Sequence, residues 1–208
     1  MATSYLEPIL LTYSIFMMGA ISPGPDAIVL LKTAISNGRK KAYFVALGLG
    51  VSVFLITQYT LFGMGYVFEK VPWLIYVIQY GGSLFLLYLG IQSLRASGSF
   101  DVQGGKKSDL KPAMAFRNGL MTNFLNPFAI LYIISLMAAQ IPPEMPGLYK
   151  ITFGVVLGLS YGIWNSVLSF IPTNRYLGAF FNKYNGIFSK ISGVLLIYIA
   201  ISNALKVI

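Results

Sequence analysis

The chain contains no cysteine and no histidine. Disulfides, zinc clusters, haem ligation by histidine, and catalysis by either side chain are therefore excluded within it. Charge is also scarce: Asp, Glu, Lys and Arg make up 10% of its 208 residues, against about 25% in an ordinary soluble domain. So few charges cannot cover a soluble surface. Acids are scarcer than bases, six against fifteen, which gives a net charge of +9. These bases are scattered among long apolar runs, so they read as loop anchors at an anionic membrane surface. They do not form the basic patch of a nucleic-acid binder, and no nucleic-acid partner is expected. One interior acid, with no Ser-Lys or Asp-Asp pair at helical spacing, leaves catalysis poorly equipped. The chain is therefore not read as an enzyme, and no cofactor is expected.

What is abundant is apolar: 56% of residues are hydrophobic and the mean hydropathy is +0.72. A spanning helix needs roughly 20 mostly apolar residues. Six such windows occur, at about 6–34, 41–67, 71–95, 113–140, 148–171 and 186–207. The first twenty residues hold Glu7 and no Lys or Arg. They lack the positive start of a secretory signal, so they are expected to remain as a first span. Lys and Arg then alternate by loop, with twelve on one side and three on the other. The positive-inside rule places both termini outside and the central loop in the cytoplasm. That loop, from Ser97 to Lys111, is rich in Gly, Ser and charge and reads as a flexible linker. The expected organisation is one membrane domain over 1–208: a first repeat at 1–96, a cytoplasmic linker at 97–112 and a second repeat at 113–208.

With three spans on each side of the linker, span one runs inward and span four outward, so a sequence match between halves is an inverted repeat. Pro25-Asp26-Ala27-Ile28 resembles Pro127-Phe128-Ala129-Ile130. Ala42, Ala46 and Gly50 match Gly154, Gly158 and Gly162. Leu86 to Ile91 matches Leu196 to Ile201. The offsets are 102, 112 and 110 residues. The fold expected is all-α, a polytopic membrane protein of six transmembrane helices in two inverted three-helix repeats. The small residues Ala46, Gly50, Gly154, Gly158 and Gly162 are expected to bring helices close together, either within the chain or across a homodimer.

The stretch Ile21-Ser22-Pro23-Gly24-Pro25-Asp26 should break span one, because two prolines remove backbone donors and Gly24 loosens the chain. Asn123-Phe124-Leu125-Asn126-Pro127 is the matching interruption in span four. Paired breaks of this kind mark a transporter site. Pro23, Gly24, Pro25 and Pro127 are the expected hinges. Asp26 either caps the second half-helix of span one, where the dipole favours a carboxylate, or binds a cation or carries a proton. Asn123 and Asn126 either bond a substrate's amino or carboxylate group or recap their own helix. Ser22 joins them as a candidate substrate ligand, and no metal site is expected. Gln58, Gln79, Asn165, Asn203 and Thr122 are assigned interhelical hydrogen bonds. Tyr5, Tyr43, Trp73, Tyr149 and Tyr176 are assigned to interfacial belts. Tyr88, Tyr132, Tyr161 and Trp164 either line a cavity or pack in the core.

On Pro23-Gly24-Pro25-Asp26, on Gly119-Leu120-Met121-Thr122-Asn123-Phe124-Leu125-Asn126-Pro127, and on Leu87 to Arg95, the sequence resembles the lysine exporter (LysE) family of small amino-acid efflux proteins. The resemblance covers nearly the whole chain. It implies an exporter of amino acids or related small metabolites in a bacterial or archaeal inner membrane, driven by the proton gradient or membrane potential. Its partners would be a small-molecule substrate and the lipid bilayer. Family members often carry Lys after the Asn-Pro pair, whereas this chain has Phe128, which leaves Asp26 without an obvious partner. Export of a divalent metal ion and a non-transporting membrane scaffold are the competing readings.

Overall fold

The computed structural model describes residues 5–21, 24–71, 73–95, 110–173 and 175–205. Ser22, Pro23 and most of the expected linker lie outside them. The described chain is helical: α1 (Leu6–Ile21), α2 (Pro25–Asn37), α3 (Arg39–Lys70), α4 (Leu74–Arg95), α5 (Pro112–Phe124), α6 (Pro127–Gln140), α7 (Gly147–Leu168) and α8 (Arg175–Leu205). A short 3-10 turn at Ile171–Thr173 precedes α8.

Proline and glycine decide the boundaries. Pro25, Pro112 and Pro127 each occupy the first turn of a helix, where the missing N–H costs nothing and the fixed φ suits the helix. Gly38 turns the chain from α2 into α3 at φ +83°, a conformation open to glycine and unfavourable for a side chain. The two expected breaks are present, with α1 and α2 meeting at 50° and α5 and α6 at 59°.

Arg39–Gly63, Tyr76–Arg95 and Gly147–Leu168 are each long and apolar enough to cross a membrane, and each bent pair qualifies as one span. α8 starts at Arg175, ahead of the expected sixth span at 186–207, and Ser189–Ser202 within it is apolar.

Exposure is inverted relative to a soluble protein. Tyr43, Leu47, Val51, Leu55, Tyr59 and Phe62 form one exposed apolar stripe along α3. Leu148, Ile151, Val155, Leu159, Ile163 and Val167 do the same on α7. Stripes this long are lipid-facing surface. Thr12, Ser52, Thr60 and Asn165 are turned inward and bond to carbonyls of their own helices, as a surrounding without water requires.

Two antiparallel crossings organise the interior. α3 meets α7 where Gly50 faces Gly158 and Gly162: a Cβ added at Gly50 would lie 2.6 Å from the Gly158 carbonyl oxygen. Gly162 in turn faces Ala46. α4 meets α8 where a Cβ on Gly193 would lie 2.7 Å from the Gly90 carbonyl oxygen; nearby, Ser83 and Ala200 line one crevice. The 112-residue offset carries the Gly50–Gly158 contact onto Gly162–Ala46. The 110-residue offset carries Gly90–Gly193 onto Ala200–Ser83. A third crossing sets Gly48 and Gly119 against each other's helices, α5 and α3. The small-residue face is therefore used within the chain.

Several polar and aromatic assignments change. Gln58 does bridge helices, donating to the Lys150 carbonyl at 3.1 Å, but Asn165 and Thr122 bond back to Tyr161 and Asn118 of their own helices. An i−4 carbonyl lies closer than any partner helix. The side chains of Gln79, Asn203 and Tyr176 are outside the described set. Tyr43 and Trp73 are exposed as a belt requires, whereas Tyr5 and Tyr149 are partly buried and pack ring on ring at 5.7 Å.

Candidate functional site

Breaking a helix inside a membrane strands its last carbonyls and first N–H groups. The chain satisfies two of those at the end of α1 with donors from other helices: Trp164 Nε1 donates to the Ala20 carbonyl at 3.1 Å and the Ser192 hydroxyl to Met18. One turn earlier, the Tyr132 hydroxyl donates to the Ile15 carbonyl at 3.1 Å. The break after α5 is satisfied locally. Leu125 N–H reaches the Met121 carbonyl at 3.0 Å, and Asn126 N–H reaches Asn123 at 3.1 Å. Asn126 is the N-cap of α6, its Oδ1 accepting from Phe128 N–H at 3.0 Å.

Between the breaks lies a cavity of about 450 Å³, within the size range of small-molecule sites. Asp26, Asn123 and Asn126 all line it, together with Gly24. Sequence residues separated by about a hundred positions thus share one chamber. Phe16, Val53, Leu89, Ile133 and Leu196 supply an apolar wall, while Gln92 and Ser93 line it from the end of α4.

Asp26 does not cap α2. Gly24 is the N-cap, extended at φ −110° and without a side-chain hydrogen bond. Asp26 sits one residue inside the helix after Pro25, half-buried. Its Oδ1 lies over Gly24, 2.5 Å from where a Cβ would be. The positive end of α2 stabilises a carboxylate there, and the missing side chain at Gly24 gives it room. Its other oxygen accepts the hydroxyl of Tyr161 from α7. Asp26 therefore has a partner, which the sequence reading did not find.

Tyr161 is buried at 7% exposure. Its ring stands 5.7 Å from Phe16, which also stacks at 6.2 Å on Tyr132. Of the four deep aromatics, Tyr132 and Tyr161 line the cavity. Trp164 instead serves the α1 break, and Tyr88 is 46% exposed and accepts from Gln92 at 2.7 Å. Asn123 is 4% exposed, and its amide makes no hydrogen bond among the described residues. Phe128 holds in α6 the position that Asp26 holds in α2, and its ring lies 5.9 Å from Phe85. Gln92, Ser93 and Ser192 were not legible as site or break residues, and Trp164 was legible as a deep aromatic but not as a donor to the break. Only the Tyr161/Asn165 spacing on α7, one helical turn beside the small-residue row, hinted that this face looks inward.

A chamber with one acid among its described lining residues, placed at paired helix breaks inside an apolar bundle, fits a polytopic helical membrane protein of the transporter class. The chain matches the LysE type translocator family over residues 17–206, and it belongs to that family. This is a family of transporters, not enzymes. The chain is 32% identical over 127 residues to the threonine efflux protein of Escherichia coli (strain K12), covering 60% of this chain and 62% of that protein. It is 26% identical over 190 residues to the leucine efflux protein of Salmonella choleraesuis (strain SC-B67), covering 88% and 87%. An uncharacterized membrane protein of Bacillus subtilis (strain 168) is 27% identical over 200 residues, covering 91% and 94%. The chain thus spans about three fifths of the threonine efflux protein that it matches. No solved structure matches it.

Proposed function

We propose that this protein is a secondary active exporter of amino acids or related small polar metabolites, coupled to the proton gradient or the membrane potential. It acts in the inner membrane with both termini outside. The observation that carries the reading is the cavity at the two breaks, lined by Asp26, Asn123 and Asn126. A scaffold has no use for such a chamber. Export of a divalent metal ion would need more hard ligands than one carboxylate, and among the described residues no group of three or more acids comes together. The efflux activities named for the threonine and leucine relatives support the amino-acid class.

Two inverted three-helix halves account for the way the Gly50–Gly158 and Gly90–Gly193 contacts exchange under the repeat offsets. The halves rock about these crossings, and the breaks at Pro23-Gly24-Pro25 and Pro127 serve as hinges in alternating access. Asp26 takes a cationic group or the coupled proton, with Ser22 beside it in sequence.

The test is efflux of preloaded labelled threonine and leucine from proteoliposomes under an imposed proton gradient. Saturable, gradient-driven efflux that Asp26→Asn abolishes is the expected result. Absence of flux for every amino acid, or an Asp26→Asn protein with wild-type flux and pH dependence, overturns it.

A further inference from the structure

We propose that the N-terminus of α6 is the carboxylate subsite of this cavity, so that the solute is a zwitterionic α-amino acid with an uncharged side chain. This rests on the amino-acid exporter reading above and deepens it. The described residues lining the cavity include one carboxylate and no Lys or Arg, so a substrate carboxylate must be met by neutral donors.

Those donors converge at the second break. α6 is fourteen residues long, and its positive end opens on the cavity through Asn126 and Ala129. Pro127 has no N–H. The Phe128 N–H is taken by Asn126 Oδ1 at 3.0 Å and the Ile130 N–H by the Asn126 carbonyl at 3.1 Å. The Ala129 N–H is left with no acceptor among the described residues. With Oδ1 of Asn126 engaged by its own helix, the Nδ2 group of that amide is turned away from the cap.

The second observation is Asn123. The residue is 4% exposed and lines the same cavity, and its amide has no hydrogen-bond partner among the described residues. Buried amides are normally paired, and this one lines the same cavity as Ala129, whose N–H is also unpaired. Both are satisfied at once by an oxyanion. The ammonium then falls to Asp26, where it competes with the Tyr161 hydroxyl. The substrate side chain lies against Phe16, Val53, Leu89 and Ile133.

Counterflow of labelled leucine and labelled threonine in proteoliposomes tests this, with leucinamide and threoninamide as competitors that keep the amine and lose the carboxylate. Wild-type protein is expected to prefer each amino acid over its amide by about tenfold or more, the scale of a hydrogen bond to a charged group. Asn123→Asp is expected to erase or invert that preference through like-charge repulsion, and Asn123→Ala to narrow it. The wild-type ratio decides even if a variant fails to fold. Equal competition by amide and acid in wild type, or an unchanged ratio in two folded Asn123 variants, overturns the carboxylate subsite while leaving the exporter reading intact. Wild-type protein that carries no amino acid overturns the exporter reading and the subsite with it.

Discussion

Replacing Gly50 and Gly162 by alanine, one at a time, separates close helix approach from helix propensity. Both glycines are buried in long helices at the α3–α7 crossing, so each substitution gains the same propensity, about 1 kcal/mol. Their surroundings differ. A Cβ on Gly50 would sit 2.6 Å from the Gly158 carbonyl oxygen and 3.1 Å from the Gly162 Cα, both backbone atoms that cannot swing aside. A Cβ on Gly162 would find its nearest neighbours, the Ala46 oxygen and the Gly50 Cα, at 3.6 Å. The first must push the helices apart, which costs about 1–3 kcal/mol by overpacking; the second makes ordinary contact. Because the propensity gain cancels, the difference between the variants is the clash alone. At about 2–4 °C per kcal/mol for a chain of this size, Gly50→Ala should melt several degrees below Gly162→Ala. The assay is thermal unfolding of purified protein in detergent, followed by Trp73 and Trp164 fluorescence. Equal melting temperatures would refute the account of the crossing.

Two further substitutions examine the site and its support. Tyr161→Phe removes the hydroxyl that Asp26 accepts while keeping the ring packed on Phe16; a loss of about 1.5–3 kcal/mol of carboxylate stabilisation should change efflux by at least about tenfold in proteoliposomes, and unchanged kinetics would show that the bond is idle. Trp164→Phe removes the donor to the Ala20 carbonyl and leaves a partly buried acceptor bare, so the detergent melting point should drop by the equivalent of about 1–3 kcal/mol, and an unaltered melt would show that the α1 break is satisfied otherwise.

The helix breaks were legible because their cause is local. Proline lacks an N–H wherever it stands, so Pro25 and Pro127 mark helix starts without reference to any other residue. The small-residue rows were legible for a similar reason, since Gly50, Gly158 and Gly162 repeat at helical spacing. What they touch was not: the same spacing serves a crossing within the chain or between two chains, and only the packing of α3 on α7 chose the first. α8 begins ahead of the 186–207 window because hydropathy reports where a helix enters the apolar slab, whereas the helix itself ends only where backbone bonding ends.

Asp26 shows the same division at the site. Its place beside a Pro-Gly-Pro break identified it as the interior acid, yet the sequence could not show that Gly24 is the cap or that Tyr161, 135 residues away, supplies the hydroxyl. Likewise Trp164 read only as a deep aromatic and Ser192 as an ordinary serine until the end of α1 is brought against them. By itself the sequence determined the all-helical membrane class, the paired breaks and the few polar groups available for chemistry, because hydropathy, proline geometry and charge act along the chain over a turn or two. The tertiary structure alone decided which of those groups share a cavity and which carbonyls they satisfy, because hydrogen bonds and helix crossings depend on distances across the bundle that chain order does not record.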